Sequence, residues 1–210
     1  DHSWVEHDLE DIWTSMKKAC LEVFQSSKIN LSEIEAIGIT NQRETTCAFN
    51  KMGKPLAKAI VWQDRRTHQF CKDNAQDYIT LKNKTGLPLD SYFSATKMNW
   101  LLNNNDQVKQ AAKNNNLCLS TIDSFLLYRL SDHKSFFTDA TNASRTLLMD
   151  LKSCEWDTEL LKFFGVKREF LSEIKPNTTN FGETANCDFL PDGIPILCMI
   201  GDQQSALLGQ

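Results

Sequence analysis

The chain has 210 residues, of which 41% are hydrophobic and 24% are charged, a composition that can bury a sizeable core in one large or two small domains. Its 23 basic and 27 acidic side chains give a formal net charge of −4, so no overall positive field would recruit nucleic acid. The longest apolar run is far shorter than the ~20 residues of a membrane span, and the first residues do not resemble a secretion signal.

The first part of the chain predicts one helix followed by three strands. Asp8 is typical of an N-cap and precedes apolar residues at helical spacing, so we predict a helix over about 9–25. Apolar and β-branched runs then predict strands at 34–40, 45–49 and 59–62, with a turn at 51–55.

Helices and strands alternate through the rest of the chain. The helices are predicted at about 66–78, 95–103, 124–130 and 157–164, with Ser94 capping the second of them, and a short helix is predicted between the asparagine clusters 103–105 and 114–116. The strands are predicted at 117–119, 147–149 and 194–200. This alternation predicts an α/β domain.

The seven cysteines are scattered and never form a Cys-x-x-Cys pair. An odd number of cysteines in mostly apolar contexts is typical of reduced thiols in a protein core. We therefore expect a cytoplasmic protein, because disulfides are rare in that compartment.

Polar residues from Asn41 to Thr46 directly follow the predicted strand that ends at Thr40. Within them, Arg43 offers a fork of hydrogen-bond donors and Glu44 offers two acceptor oxygens, which together suit a small polyhydroxyl ligand. The alternative is a solvated hairpin with a weak surface ion pair. The residues alone leave both interpretations open.

Two aromatic segments have similar alternatives. Trp62 ends a predicted strand and could cover the C–H face of a ligand or pack in the core, while Asp64 could cap the helix that follows. Tyr92 and Phe93 precede another helix and could line a pocket or form a hydrophobic staple.

The apolar run 194–200 leads into Gly201, Asp202, Gln203 and Gln204. A buried strand that breaks at glycine and presents an acid at the start of a helix is a common way to aim a carboxylate into a cleft. Asp202 could be a general base, a metal-facing carboxylate or only a helix cap. No Gly-x-x-x-x-Gly-Lys-Ser/Thr or Gly-x-Gly-x-x-Gly loop is found, so the chain has no evident phosphate cradle.

Taken in order, these segments resemble the FGGY family of carbohydrate kinases, and within it the members that phosphorylate glycerol. The resemblance covers nearly the whole chain. It rests on the stretches 38–45, 53–55, 59–67, 92–94, 141–148 and 201–204. Any one of these motifs is weak, but the full set in this order is specific.

The resemblance implies roles for particular residues. Arg43, Glu44 and Tyr92 would hydrogen-bond glycerol hydroxyls, and Trp62 would pack on the glycerol carbons. Asp202 would accept the proton of the attacking hydroxyl, with a possible contact to Mg²⁺ through water, and Gln203 would help to hold the substrate. ATP and Mg²⁺ would be the cofactors, and the full-length protein would be a homo-oligomer.

The chain also departs from the family pattern. The implied fold is the actin-like, ribonuclease-H-like α/β domain, here covering 1–210 without the initial strands that contact phosphates and without the C-terminal ATPase domain. We therefore expect the 210 residues alone to be inactive. The alternatives are a non-catalytic polyol-binding or interaction module, or an FGGY kinase for another polyol or ketose. The segment 190–194 lacks the Arg of the loop with which bacterial relatives bind a sugar bisphosphate, so we do not expect that regulation.

Overall fold

A computed structural model of the chain describes residues 3–27 and 29–210. Its helices are α1 (Leu9–Ser27), α2 (His68–Asp73), α3 (Tyr78–Thr85), α4 (Ser94–Asn104), α5 (Asp106–Lys113), α6 (Ile122–Leu130), α7 (Ala140–Ala143), α8 (Thr158–Phe164) and α9 (Asp202–Gly209). Its strands are β1 (Glu6–His7), β2 (Ile37–Asn41), β3 (Cys47–Phe49), β4 (Ala59–Ile60), β5 (Cys118–Ser120), β6 (Phe137–Asp139), β7 (Met149–Asp150), β8 (Glu155–Trp156), β9 (Glu173–Lys175), β10 (Thr178–Glu183) and β11 (Pro195–Gly201). Short 3₁₀ helices lie at 31–33, 75–77 and 168–170.

One sheet positions the candidate site. Strand β11 lies between β10, which is antiparallel to it, and β2, which is parallel to it. The pairing of β11 with β2 continues to Gly201 opposite Asn41, where both strands end. The segments that follow β2 and β11 therefore leave the sheet side by side.

The other strands of the described chain form smaller pairs. They join β3 to β5, β6 to β9, β1 to β4 and β7 to β8. Isolated bridges, such as that between Thr46 and Ile60, connect neighbouring pairs. These short pairs bring residues from distant parts of the chain onto the two buried clusters.

The buried apolar residues form two clusters on different groups of elements. One cluster joins α4, α5 and α8 and includes Met98, Leu101 and Phe164. The other joins α1, α6, β2 and β11 and includes Phe125 and Met199. Full burial of large apolar side chains is worth about 1.5–3 kcal/mol each, so these clusters are the main source of stability for the framework.

The predicted elements are largely confirmed, with shifts at their ends. Helix α1 begins after Asp8, whose Oδ1 accepts the Glu10 N–H at 2.8 Å, as an N-cap does. The predicted strand 34–40 begins at Ile37 and continues to Asn41. The predicted helix 66–78 is interrupted at Asn74, and a further helix continues to Thr85.

Two other caps considered from the sequence, Ser94 and Asp64, were wrong. Ser94 is the first residue of α4 rather than its cap, and its hydroxyl donates to the Glu44 carbonyl oxygen at 3.0 Å. Asp64 does not begin a helix. It is buried and accepts hydrogen bonds from the Arg66 side chain, whose guanidinium lies 3.9 Å from the Trp4 ring centroid. Both polar groups are therefore used by distant residues, since Asp64 Oδ2 also accepts the Val5 N–H at 2.7 Å.

All seven cysteines are unpaired, as the sequence predicts. In the part of the chain that the structure describes, no helix combines the length and the apolar character that crossing a membrane requires.

Candidate functional site

The candidate site lies where β2 and β11 end. Because these strands are parallel neighbours, their carboxyl ends meet at one edge of the sheet, the usual place for a ligand site in an α/β fold. Arg43 and Glu44 follow β2, and Asp202 and Gln203 follow β11. Residues that are far apart in sequence therefore come together here.

A tight turn after β2 separates the side chains of Arg43 and Glu44. The Thr45 N–H donates to the Arg43 carbonyl oxygen at 2.7 Å, and Glu44 has φ of 62°. This is the geometry of a γ-turn, which is rare and strained for a residue with a side chain. The Ser94 hydroxyl stabilises the turn by donating to the Glu44 carbonyl.

Arg43 is buried, with 5% of its surface exposed, and its guanidinium lies against the start of α9. Its Nη2 donates to Gln203 Oε1 at 2.6 Å, and its Nε lies 3.5 Å from Asp202 Oδ1 without a hydrogen bond. A buried donor without a partner is costly, at ~1–3 kcal/mol, unless a ligand satisfies it. The Arg43 Nε is therefore a buried, unsatisfied donor beside the Asp202 carboxylate.

Gly201 gives Arg43 the space to reach this position. A Cβ at Gly201 would lie 2.4 Å from Arg43 Cδ and 2.9 Å from its Cγ. Such separations are far below ordinary van der Waals contact. The glycine at the end of β11 is thus required by the close approach of the arginine side chain.

Glu44 is 2% exposed and forms an ion pair on the other side of the turn. Its Oε1 accepts from Arg145 Nε at 2.6 Å. Within the described residues no donor is hydrogen-bonded to its other oxygen, Oε2. The Arg43 and Glu44 side chains are both buried, and they bond to different residues, Gln203 and Arg145. The solvated-hairpin interpretation, with a surface ion pair between them, is therefore wrong.

Two aromatic rings extend the site. The half-buried side chains of Trp62 and Tyr92 lie with ring centroids 5.4 Å apart. Tyr92 contacts Phe93 in an edge-on arrangement, and the Arg145 guanidinium carbon lies 5.8 Å from the Tyr92 ring centroid. The aromatic pair is therefore linked to Glu44 through Arg145.

Asp202 and Gln203 form the exposed side of the site. Asp202 is the first residue of α9, the N-cap is Gly201, and the Asp202 side chain is 51% exposed. Its Oδ1 accepts only the adjacent Gln203 N–H, at 2.8 Å, among the hydrogen bonds of the described chain. The simple helix-cap interpretation is therefore wrong, and the carboxylate stays accessible beside the Arg43 guanidinium.

A buried polar network holds the two strand ends together. Asp139 accepts from the side chains of Thr141, Asn142 and Asn177 at 2.5–2.6 Å. Asn142 also exchanges hydrogen bonds with Asn41 at the end of β2, and the Thr141 hydroxyl accepts the Gly201 N–H at 2.8 Å. The network therefore fixes the end of β2 relative to the end of β11.

Two buried titratable groups lie close to this framework. Burial, and secondly the charge of Asp139, raises the pKa of Asp123 to about 6. Burial lowers the pKa of Lys97 to about 7, although Asp64 and Glu44 oppose that shift. Lys97 Nζ donates to the Tyr92 carbonyl oxygen at 2.6 Å, so it supports the loop that carries the tyrosine.

The structure brings all the predicted site residues into one connected arrangement. The sequence predicted no site role for Arg145, Lys97 or Ser94, which hold Glu44 and Tyr92 in place. Arg145 lies in one of the recognised motifs, but no local spacing rule points to its partner. In the described part of the chain, no group of three or more His, Cys, Asp or Glu side chains could hold a metal ion.

Known proteins resemble this chain over its whole length. The sequence model for the N-terminal domain of the FGGY family of carbohydrate kinases matches residues 1–209. A glycerol kinase of Bdellovibrio bacteriovorus is 49% identical over 99% of this chain, and one of Leptospira biflexa is 47% identical over 99% of it. In both cases the match covers 42% of the relative, so the chain spans less than half the length of these proteins. The crystal structure of Plasmodium falciparum glycerol kinase with ADP superimposes with a TM-score of 0.91 and 38% identity, covering 100% of this chain and 42% of the other.

Proposed function

Because the chain belongs to the FGGY family of carbohydrate kinases, we propose that it forms the acceptor side of a kinase that transfers phosphate from ATP to glycerol. The expected actin-like, ribonuclease-H-like α/β fold of the family's N-terminal domain is confirmed by the match to the solved glycerol kinase. The activity and substrates of the longer relatives are proposals here, since the chain spans 42% of their length.

The observation that carries this proposal is the meeting of Arg43, Glu44 and Asp202 at the paired ends of β2 and β11. A triol has hydroxyls that both donate and accept. The guanidinium of Arg43 can donate to one hydroxyl oxygen, and Oε2 of Glu44 can accept a hydroxyl proton. Glycerol is small, so its affinity must come from a few such buried hydrogen bonds.

The aromatic rings complement these polar contacts. We assign Trp62 to packing against the carbon chain of glycerol and Tyr92 to a hydrogen bond with a further hydroxyl, since the two rings adjoin the Glu44–Arg145 pair. Gln203, which accepts from Arg43 at 2.6 Å, would orient that guanidinium and contact the substrate with its amide.

We assign Asp202 as the general base. Its exposed carboxylate takes the proton from the attacking hydroxyl while the oxygen forms a bond to the terminal phosphorus of the donor. The bond between that phosphorus and the bridging oxygen breaks, and ADP carries away the electron pair. Positioning and charge stabilisation supply most of the rate acceleration in such transfers.

The chain's own residues fit only part of what ATP and Mg²⁺ need. Mg²⁺ in kinases is held by one or two carboxylates together with substrate phosphates and water, and Asp202 could contribute one such carboxylate. The sequence has no Gly-rich phosphate loop of the recognised kinds. These residues therefore do not account for how the nucleotide is bound.

Calorimetry on the 210-residue chain tests the acceptor site directly. We expect glycerol to bind, erythritol and xylulose to bind more weakly, and Arg43→Met to reduce glycerol affinity. A matched control is Arg129→Met. It removes a different Arg–Glu hydrogen bond, from Arg129 on α6 to Glu10 on α1, of 2.8 Å. Tighter binding of xylulose than of glycerol would contradict glycerol as the substrate.

A kinase assay separates the catalytic proposal from a pure binding module. We expect the 210 residues alone to form no glycerol 3-phosphate from ATP, and a protein that continues into a complete FGGY kinase to form it. Binding of glycerol without phosphorylation by the complete protein would favour the non-catalytic module. A cytoplasmic location and a homo-oligomeric complete protein are further parts of the proposal, the first supported by the seven unpaired cysteines.

A further inference from the structure

Arg145 contacts both Glu44 and the aromatic residues Tyr92 and Phe93 of the acceptor site. It follows α7, and its Nε donates to Glu44 Oε1 at 2.6 Å. Its guanidinium carbon also lies 4.9 Å from the Phe93 ring centroid and 5.8 Å from that of Tyr92. The Arg145 side chain thus connects the Glu44 carboxylate with the Tyr92 and Phe93 rings.

The loop that carries Arg145 is anchored on both sides. Before it, the Asn142 side chain is paired with that of Asn41 at the end of β2. After it, the Thr146 carbonyl oxygen accepts the Ala95 N–H in the first turn of α4 at 2.8 Å. The Arg145 side chain is 24% exposed, so its position is set by these anchors and by the rings.

We propose that Arg145 is a positioning residue that selects which Glu44 oxygen meets the substrate. By occupying Oε1, it leaves Oε2 as the acceptor for a glycerol hydroxyl. Its positive charge also balances that of a carboxylate in a 2% exposed residue. This inference rests on the proposed function, because it specifies how the same site recognises a triol.

The chemistry of arginine fits this role better than that of lysine. The guanidinium is planar, so it can stack on the Phe93 ring while its Nε–H points along one fixed direction to Glu44. A lysine ammonium keeps the charge but has no fixed donor direction. Arg145→Lys should therefore recover only part of the function that Arg145→Met removes.

A double-mutant cycle with Glu44 tests the proposal. Glycerol affinity is measured by calorimetry for the wild-type chain, Arg145→Met, Glu44→Gln and the double variant. We expect each single change to weaken binding roughly 10- to 100-fold, as for the loss of a charged hydrogen bond. We expect the double variant to be no more than about threefold weaker than the worse single variant, because both changes remove the same interaction.

Selectivity provides a readout that a general loss of structure would not change. Wild-type affinity for glycerol should exceed that for propane-1,2-diol or propane-1,3-diol, each of which lacks one hydroxyl. In Arg145→Met that preference should fall for the same diol as in Glu44→Gln. Arg129→Met, which removes the remote pair with Glu10, should keep both the affinity and the preference.

Each outcome distinguishes this inference from the proposed function. Additive losses in the cycle, or an unchanged diol preference in Arg145→Met, would overturn the role of Arg145 while wild-type glycerol binding still supports the proposed function. An absence of glycerol binding by the wild-type chain would overturn both. If Arg145→Met does not fold by circular dichroism, the same cycle is run with Arg145→Lys, for which we expect a smaller loss of affinity and the same lack of additivity with Glu44→Gln.

Discussion

Replacing Gly201 by alanine should disable the acceptor site while leaving the fold intact. The added Cβ would lie 2.4 Å from Arg43 Cδ, whereas ordinary contacts begin at 3.4 Å, so the arginine chain must move by about 1 Å. Gly201 has φ of −61° and ψ of 151°, which alanine adopts without strain. The cost therefore falls on Arg43 rather than on the backbone.

The size of the effect follows from the crowding of the Arg43 side chain and from the hydrogen bond that it loses. Crowding of a packed side chain costs about 1–3 kcal/mol. Loss of the 2.6 Å hydrogen bond from Arg43 Nη2 to Gln203 Oε1 is worth about 1.5–3 kcal/mol where the donor is charged. We expect glycerol affinity to fall roughly 10- to 100-fold, and the melting temperature to fall by about 2–4 °C for each kcal/mol of this cost.

Gly38→Ala is a matched control on the neighbouring strand. A Cβ at Gly38 would meet only Cys198 Cβ, at 3.7 Å, which is an ordinary contact. Calorimetry with glycerol and thermal unfolding should be compared for both variants. Equal glycerol affinity in Gly201→Ala and Gly38→Ala would refute the argument that Arg43 needs the space left by the absence of a Cβ at Gly201.

Three further predictions concern titratable groups. In a complete kinase, Asp202→Asn should lower kcat by about 10²- to 10⁴-fold with little change in glycerol affinity, and a near-normal kcat would remove Asp202 from the role of base. The pKa of Asp123 rises from 3.8 to about 6 on folding, so the free energy of unfolding should fall by roughly 3 kcal/mol as the pH is raised from 3.8 to 6. Asp123→Asn should abolish this pH dependence, which thermal unfolding at a series of pH values would measure. The pKa of Lys97 falls from 10.5 to about 7 on folding, so wild-type stability should rise with pH across that interval. In Lys97→Met this rise should be lost, and an unchanged pH profile would contradict the burial of a titrating Lys97.

The sequence predicted which residues lie at the strand ends, while their roles in binding and catalysis stay predictions. Polar residues directly after an apolar strand identified Arg43 and Glu44, and a glycine followed by an acid identified Asp202, because strand ends in an α/β fold face the ligand. The family motifs then narrowed the choice between a ligand site and a solvated hairpin.

What the sequence did not predict depends on contacts between distant residues. Ser94 has the local pattern of an N-cap, but its hydroxyl is used by the Glu44 carbonyl oxygen. Arg145 lies 101 positions from Glu44, so no helical or strand periodicity relates them. Strand β10 was missed because Thr178–Glu183 is mostly polar and lacks the alternation of a half-buried strand.

The long sequence separations within the site also bear on how the protein folds. Arg43 and Gln203 are 160 positions apart, and the Asn41–Asn142 pair spans 101. Closing such large loops costs chain entropy before any contact is gained, so the site should be completed late, together with the pairing of β2 and β11. A chain still emerging from the ribosome would therefore have β2 but no acceptor site. Glycerol would bind only to the fully assembled domain, and saturating glycerol should then slow hydrogen exchange throughout the sheet as well as in the site loops.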